Sequence, residues 1–200
     1  MSIVRHQLYS RYERAWHWFQ AATVGLLILT GLAIHAPGAV GWLPFATAVE
    51  IHNILGFLLL ANAFLGVFYY VTTGMIRQYL PKPQEFRAQA VRQIWFYLRG
   101  IFRGEPQPMA KVQEQRLTPL QQITYLIILN ILLPLQVLTG LLIWGAQRWP
   151  ETVQAVGGLA ILGMIHTLNA WLFGAFVLMH VYLTTTGRTP LAHIKAMIVG

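Results

Sequence analysis

Four histidines, His17, His52, His166 and His180, fall inside stretches that are otherwise long and apolar. An ionisable side chain within a membrane span is expensive and usually marks function. Imidazole in such a place can bind a metal, or it can simply hydrogen-bond to a neighbouring helix. The 200-residue chain has no cysteine, which excludes disulfides, thiolate ligands, covalently held c-type haem and protein-ligated iron–sulfur clusters on this chain. Any metal would rest on histidine, methionine or oxygen ligands.

The spacing narrows the chemistry. His166 and His180 are 14 residues apart, which on a helix returns to within about 40° of the same face and lies about 21 Å further along the axis. One helix could therefore serve two stacked sites, each completed by an imidazole from a neighbouring helix. Two imidazoles on a haem iron leave no open position and suit electron transfer rather than oxygen chemistry. Zinc or copper is the weaker fit, since zinc wants three or four protein ligands and no Asp or Glu near these histidines supplies them. The expectation is two b-type haems, with bis-His ligation by His17, His52, His166 and His180. Gly25, Gly56 and Gly66 are candidates for making room beside a flat macrocycle; Gly31, Ala63, Gly140, Gly163 and Gly174 are other small residues of the spans, and all could equally serve helix packing. Arg14, three residues before His17, and Arg11, a turn earlier, are candidate cations for haem propionates.

The elements that must position these residues are membrane helices. With 56% hydrophobic and only 10% charged residues and a mean hydropathy of +0.53, the composition is wrong for a soluble domain. A roughly 30 Å hydrocarbon layer needs about 20 apolar helical residues, and four segments qualify: about 15–35, 51–73, 120–145 and 158–186. Lipid offers no partner to an open backbone, and four spans are too few for a closed barrel, so each is a helix. The expected fold is an all-α integral membrane four-helix bundle forming one domain over residues 1–200. Pro134 predicts a kink in the third span. No internal repeat stands out, and the residues before the first span lack the short apolar core and small-residue cleavage site of a signal peptide, so that span is expected to stay in the mature protein.

The net charge of +8 is spread between the apolar runs and forms no basic stripe, which fits lipid head groups and not nucleic acid. Arg5, Arg11 and Arg14 precede span one. Arg77, Lys82, Arg87, Arg92, Arg99, Arg103, Lys111 and Arg116 lie between spans two and three, and Arg188 and Lys195 follow span four. The positive-inside rule thus puts both termini and the middle loop in the cytoplasm. His17 and His180 then share the cytoplasmic half of the bilayer, and His52 and His166 the periplasmic half. In the middle loop, Phe86, Ala90, Val91, Ile94, Trp95, Leu98, Ile101 and Phe102 recur at helical spacing among arginines, the pattern of an interfacial amphipathic helix.

Tyr9 to Ala21 (YSRYERAWHWFQA), His52 with Asn53, Leu117 to Gln122, and His166 to His180 followed by TTTGRTPLAHIKAMIVG together resemble the cytochrome b membrane subunits of thiosulfate reductase type. These are related to the membrane subunits of formate dehydrogenase and nickel-iron hydrogenase, and the resemblance covers essentially the whole chain. It implies that His17 pairs with His180 and His52 with His166. It also implies a bacterial inner-membrane subunit that passes electrons between quinone and a periplasmic redox partner, an iron–sulfur, molybdopterin or multihaem cytochrome protein. Such a subunit has no catalytic residues of its own beyond a quinone pocket. Formate dehydrogenase relatives use an Asn at the start of span three for quinone; here Thr118 stands at about that position, followed by Gln121 and Gln122, with Tyr125 and Asn130 as further polar candidates. Other functions open to the sequence are a haem-bearing membrane anchor for a periplasmic redox protein, without a quinone site, and a haem-free four-helix scaffold.

Overall fold

The structure, a computed structural model, describes residues 9–80, 86–106, 108, 117–185, 189 and 191–199. Arg5, His6, Lys82, Lys111, Arg116 and Arg188 lie outside the described residues, as do parts of the Thr184 to Gly200 stretch. The described chain is helical without a strand: α1 (Arg11–His35), α2 (Phe45–Thr72), α3 (Phe86–Trp95), α4 (Pro119–Ile127), α5 (Leu133–Trp144), α6 (Pro150–Ala155), α7 (Gly158–Thr184) and α8 (Ala192–Val199). Four helical stretches, Arg11–His35, Phe45–Thr72, Pro119–Trp144 and Gly158–Thr184, are long and apolar enough to cross a membrane.

Local chemistry explains where they begin and bend. The first helix starts at Arg11, ahead of the apolar run, because Ser10 and Glu13 form a capping box: Glu13 N–H donates to Ser10 Oγ at 3.2 Å and Ser10 N–H to the Glu13 carboxylate at 2.8 Å. The second starts at Phe45, directly after Pro44, whose carbonyl accepts from Ala48 N–H, so it too precedes its apolar run and carries the exposed Glu50. In the third span a π-turn at Ile128–Leu132 joins α4 to α5. It lies just before Pro134, which has no N–H to donate and whose ring would crowd the carbonyl four residues back. The irregularity expected at Pro134 is therefore a widened turn and not a break. Gly157 and Gly158 both have positive φ, 100° and 82°, a conformation that suits glycine, and they turn the chain from α6 into α7.

The chain divides into two compact units, residues 1–66 with 134–200, and residues 67–133. In the first, polar side chains face inward: Thr23, Thr30, Asn62, Thr139 and Asn169 are buried, whereas Phe64, Leu168, Trp171 and Leu178 are exposed. That inversion of the soluble pattern is the arrangement lipid favours, with polar groups bonded between helices and apolar side chains outward. In the second unit, α3 runs on through a π-turn (Phe96–Gly100) and a 3-10 turn (Ile101–Arg103). It exposes Val91, Ile94, Trp95, Leu98 and Phe102, and Arg99 stacks on Trp95 at 4.9 Å. Buried Gln93 joins α3 to α4 by donating to Thr118 Oγ1 (2.7 Å) and accepting from Leu120 N–H (3.2 Å).

Candidate functional site

All four span histidines belong to the first unit. The structure brings His17 of α1 and His180 of α7 together with ring centres 6.2 Å apart, and His52 of α2 and His166 of α7 with ring centres 6.3 Å apart. A metal–imidazole bond is about 2 Å. Allowing roughly 1 Å more from the ligating nitrogen to the ring centre, two imidazoles on opposite faces of one metal have centres about 6 Å apart. Both pairs have that spacing. Among the described residues no three His, Asp or Glu side chains gather, so the donor set fits a metal that takes two protein ligands and brings the rest of its coordination with it, as haem does.

The surroundings of the pairs bear on the fit. Nδ1 of His17 is buried without a hydrogen-bond partner, a cost that a bound cofactor would lift. A Cβ placed on Gly25, Gly56, Gly163 or Gly174 would meet nothing within 4 Å, so each leaves open space along its helix. Gly66 is different: its Cβ would come within 2.6 Å of the Trp16 ring, which makes it a packing glycine that admits an indole. At His166 the fit has a competitor, since Gln136 Nε2 lies 3.0 Å from His166 Nε2, the electron pair a metal would take.

Of the candidate cations, Arg14 is engaged in part, its Nε being buried without a hydrogen-bond partner. Arg14 Nη1 donates to the Ile198 carbonyl at 2.7 Å, beside Trp18 Nε1 donating to the Met197 carbonyl at 3.0 Å; together they hold the end of α8 against α1. Arg11 is exposed. At the start of span three, in the second unit, Gln121 reaches back to Thr118 N–H at 3.0 Å. Gln122 is buried and donates to the Gln78 carbonyl at 2.7 Å. Tyr125 packs edge-on against Tyr79, and Asn130 donates to the Leu126 carbonyl one turn back.

Two residues missing from the sequence reading stand beside the second pair. Thr30 Oγ1 is 2.9 Å from His52 Nδ1, and Thr139 Oγ1 is 2.9 Å from His166 Nδ1. The signal that marks them is a short repeat, Leu-Thr-Gly-Leu, at 29–32 and again at 138–141.

The described residues thus form helices throughout, four of them long and apolar enough to cross a membrane, with histidines paired between them. Residues 8–200 match the family model described as prokaryotic cytochrome b561, and the chain belongs to that family. It is accordingly a multi-pass membrane protein that binds haem b and transfers electrons. It is 37% identical over 196 residues to the Escherichia coli (strain K12) protein named "Putative cytochrome YdhU", covering 96% of this chain and 73% of that one. No solved structure matches the chain.

Proposed function

We propose that the chain holds two stacked b-type haems, one between His17 and His180 and one between His52 and His166, and passes electrons between membrane quinone and a periplasmic redox partner. The observation that carries this reading is that α7 supplies one imidazole to each pair, both at the spacing of two ligands on one metal. When bound, the haem iron supplies the one-electron chemistry. The protein's share is ligation and spacing. Two imidazoles would hold each iron and leave it no position for a substrate, and 14 residues of α7, about 21 Å, set the two sites toward opposite sides of a roughly 30 Å apolar layer.

The distribution of Lys and Arg supports cytoplasmic termini and a cytoplasmic middle loop in the bacterial inner membrane. His17 and His180 then lie on the cytoplasmic side, near the quinone, and His52 and His166 on the periplasmic side, near an iron–sulfur, molybdopterin or multihaem cytochrome partner. The exposed apolar face of α3 suits a helix lying in the inner interface. Thr118, Gln121 and Gln122 are engaged in holding the start of α4.

The test is a reduced-minus-oxidised spectrum with haem quantification on purified protein in detergent, followed by addition of a quinol. Two haems per chain, reduced by quinol, support the reading. Two haems that quinol leaves oxidised make the chain a haem-bearing anchor, and a folded protein without haem returns the histidines to helix packing.

A further inference from the structure

His52 and His166 are gripped by two segments of the same sequence, and the hydrogen bonds there fix which ring nitrogen carries the proton. Thr30 Oγ1 donates its single proton to the Leu26 carbonyl at 2.8 Å, and Thr139 Oγ1 donates to the Leu135 carbonyl at 2.7 Å. With that proton directed to the helix, each hydroxyl meets its imidazole as an acceptor, an arrangement that favours Nδ1 as the N–H. Nε2 then keeps its lone pair. At His166 the same answer comes from the opposite side of the ring. Asn169 Nδ2 donates to Gln136 Oε1 at 2.7 Å, which turns the Gln136 NH2 group toward His166 Nε2 at 3.0 Å, so that nitrogen accepts.

The residue after each threonine completes the grip. A Cβ on Gly31 would stand 3.4 Å from His52 Cε1, and one on Gly140 would stand 3.1 Å from His166 Cε1. The approach at Gly140 is tighter than ordinary contact, and at Gly31 a Cβ would just touch the ring. At the other pair, His17 Nδ1 is buried without a partner, and His180 packs its ring against Phe176, with centres 5.7 Å apart.

We propose that Thr30 and Thr139 are positioning residues, each holding one imidazole of the His52–His166 pair with Nδ1 protonated and Nε2 presented to the haem iron, while Gly31 and Gly140 admit the rings. This rests on the two-haem reading above. A donor N–H bonded to oxygen makes the ligating nitrogen a stronger electron donor, which favours the oxidised metal and lowers the midpoint potential of that haem alone.

The experiment is a redox titration of the full-length protein, followed by optical and EPR spectra, for the parent, Thr30→Val, Thr139→Val and the corresponding Ser variants. His52→Ala identifies which component belongs to this pair. A parent with fewer than two haem components overturns the two-haem reading itself. With two present, the expected result is that either Val variant raises the midpoint potential and shifts the EPR signal of the His52–His166 component, or loses that component alone. Both Ser variants keep parental values. Val variants with parental potentials and spectra, equal shifts in both haems, loss of both haems together, or Ser variants that shift as far as Val would each overturn the proposal.

Discussion

The two histidine pairs sit in one unit, use the same helix and have nearly the same spacing, yet the chain secures them differently. At the His52–His166 end each imidazole is held directly, by a threonine hydroxyl and a glycine gap. At the His17–His180 end, His17 Nδ1 has no partner, and the hydrogen bonds around it tie the helices to one another. Trp16 Nε1 donates to the Asn62 carbonyl at 2.9 Å, Tyr12 OH to the Leu65 carbonyl at 3.2 Å, and Arg14 and Trp18 brace α8. A hydrogen bond between membrane helices contributes only about 0.6 kcal/mol on average. The threonines thus matter less for holding helices together than for fixing a ring. The comparison teaches that stability and ligand orientation can be supplied by separate residues.

The strongest way to break the comparison is to remove a ligand. His166→Ala or His52→Ala is expected to abolish one of two haems and leave the other, and His180→Ala or His17→Ala the converse, measured as haem per chain and as the surviving spectrum. Loss of both haems from each variant would mean that the pairs are not independent sites.

Packing comes next. Gly66→Val puts a side chain into the Trp16 ring and is expected to cost about 1–3 kcal/mol, with the His17–His180 component lost first on heating in detergent. Arg14→Ala removes a charge-assisted hydrogen bond to the end of α8, a loss of about 1–2 kcal/mol. Protease cleavage in the last residues should rise while the potentials of both haems stay unchanged; a shifted potential would instead favour the propionate role for Arg14. The smallest effect sharpens the contrast within one end. Gly140→Ala, with its Cβ at 3.1 Å, should disturb the His52–His166 spectrum more than Gly31→Ala, whose Cβ would stand at 3.4 Å.

Much of this was legible in the residues. Four helices follow from hydropathy, because a spanning segment must be apolar along its whole length and must satisfy its own backbone. The early start of α1 is also written locally, in Ser10 and Glu13, since a capping box needs only four consecutive residues. The early start of α2 was not found by hydropathy, because the first turns from Phe45 include Glu50 and the helix extends beyond its apolar run.

The candidate site divides along the same line. Histidine type, apolar setting and 14-residue spacing are properties of one chain segment at a time, and by themselves they mark two sites on α7. Which atoms each imidazole touches depends on α1 and α5 coming alongside α2 and α7, and hydropathy carries no rotational register for helices that are apolar nearly all round. That is why nothing in the sequence reading singled out Thr30 and Thr139, whose hydroxyls meet Nδ1 of His52 and His166. Gly66 shows the converse: it looked suited to a cofactor by type and position, and tertiary packing gave its place to the Trp16 ring.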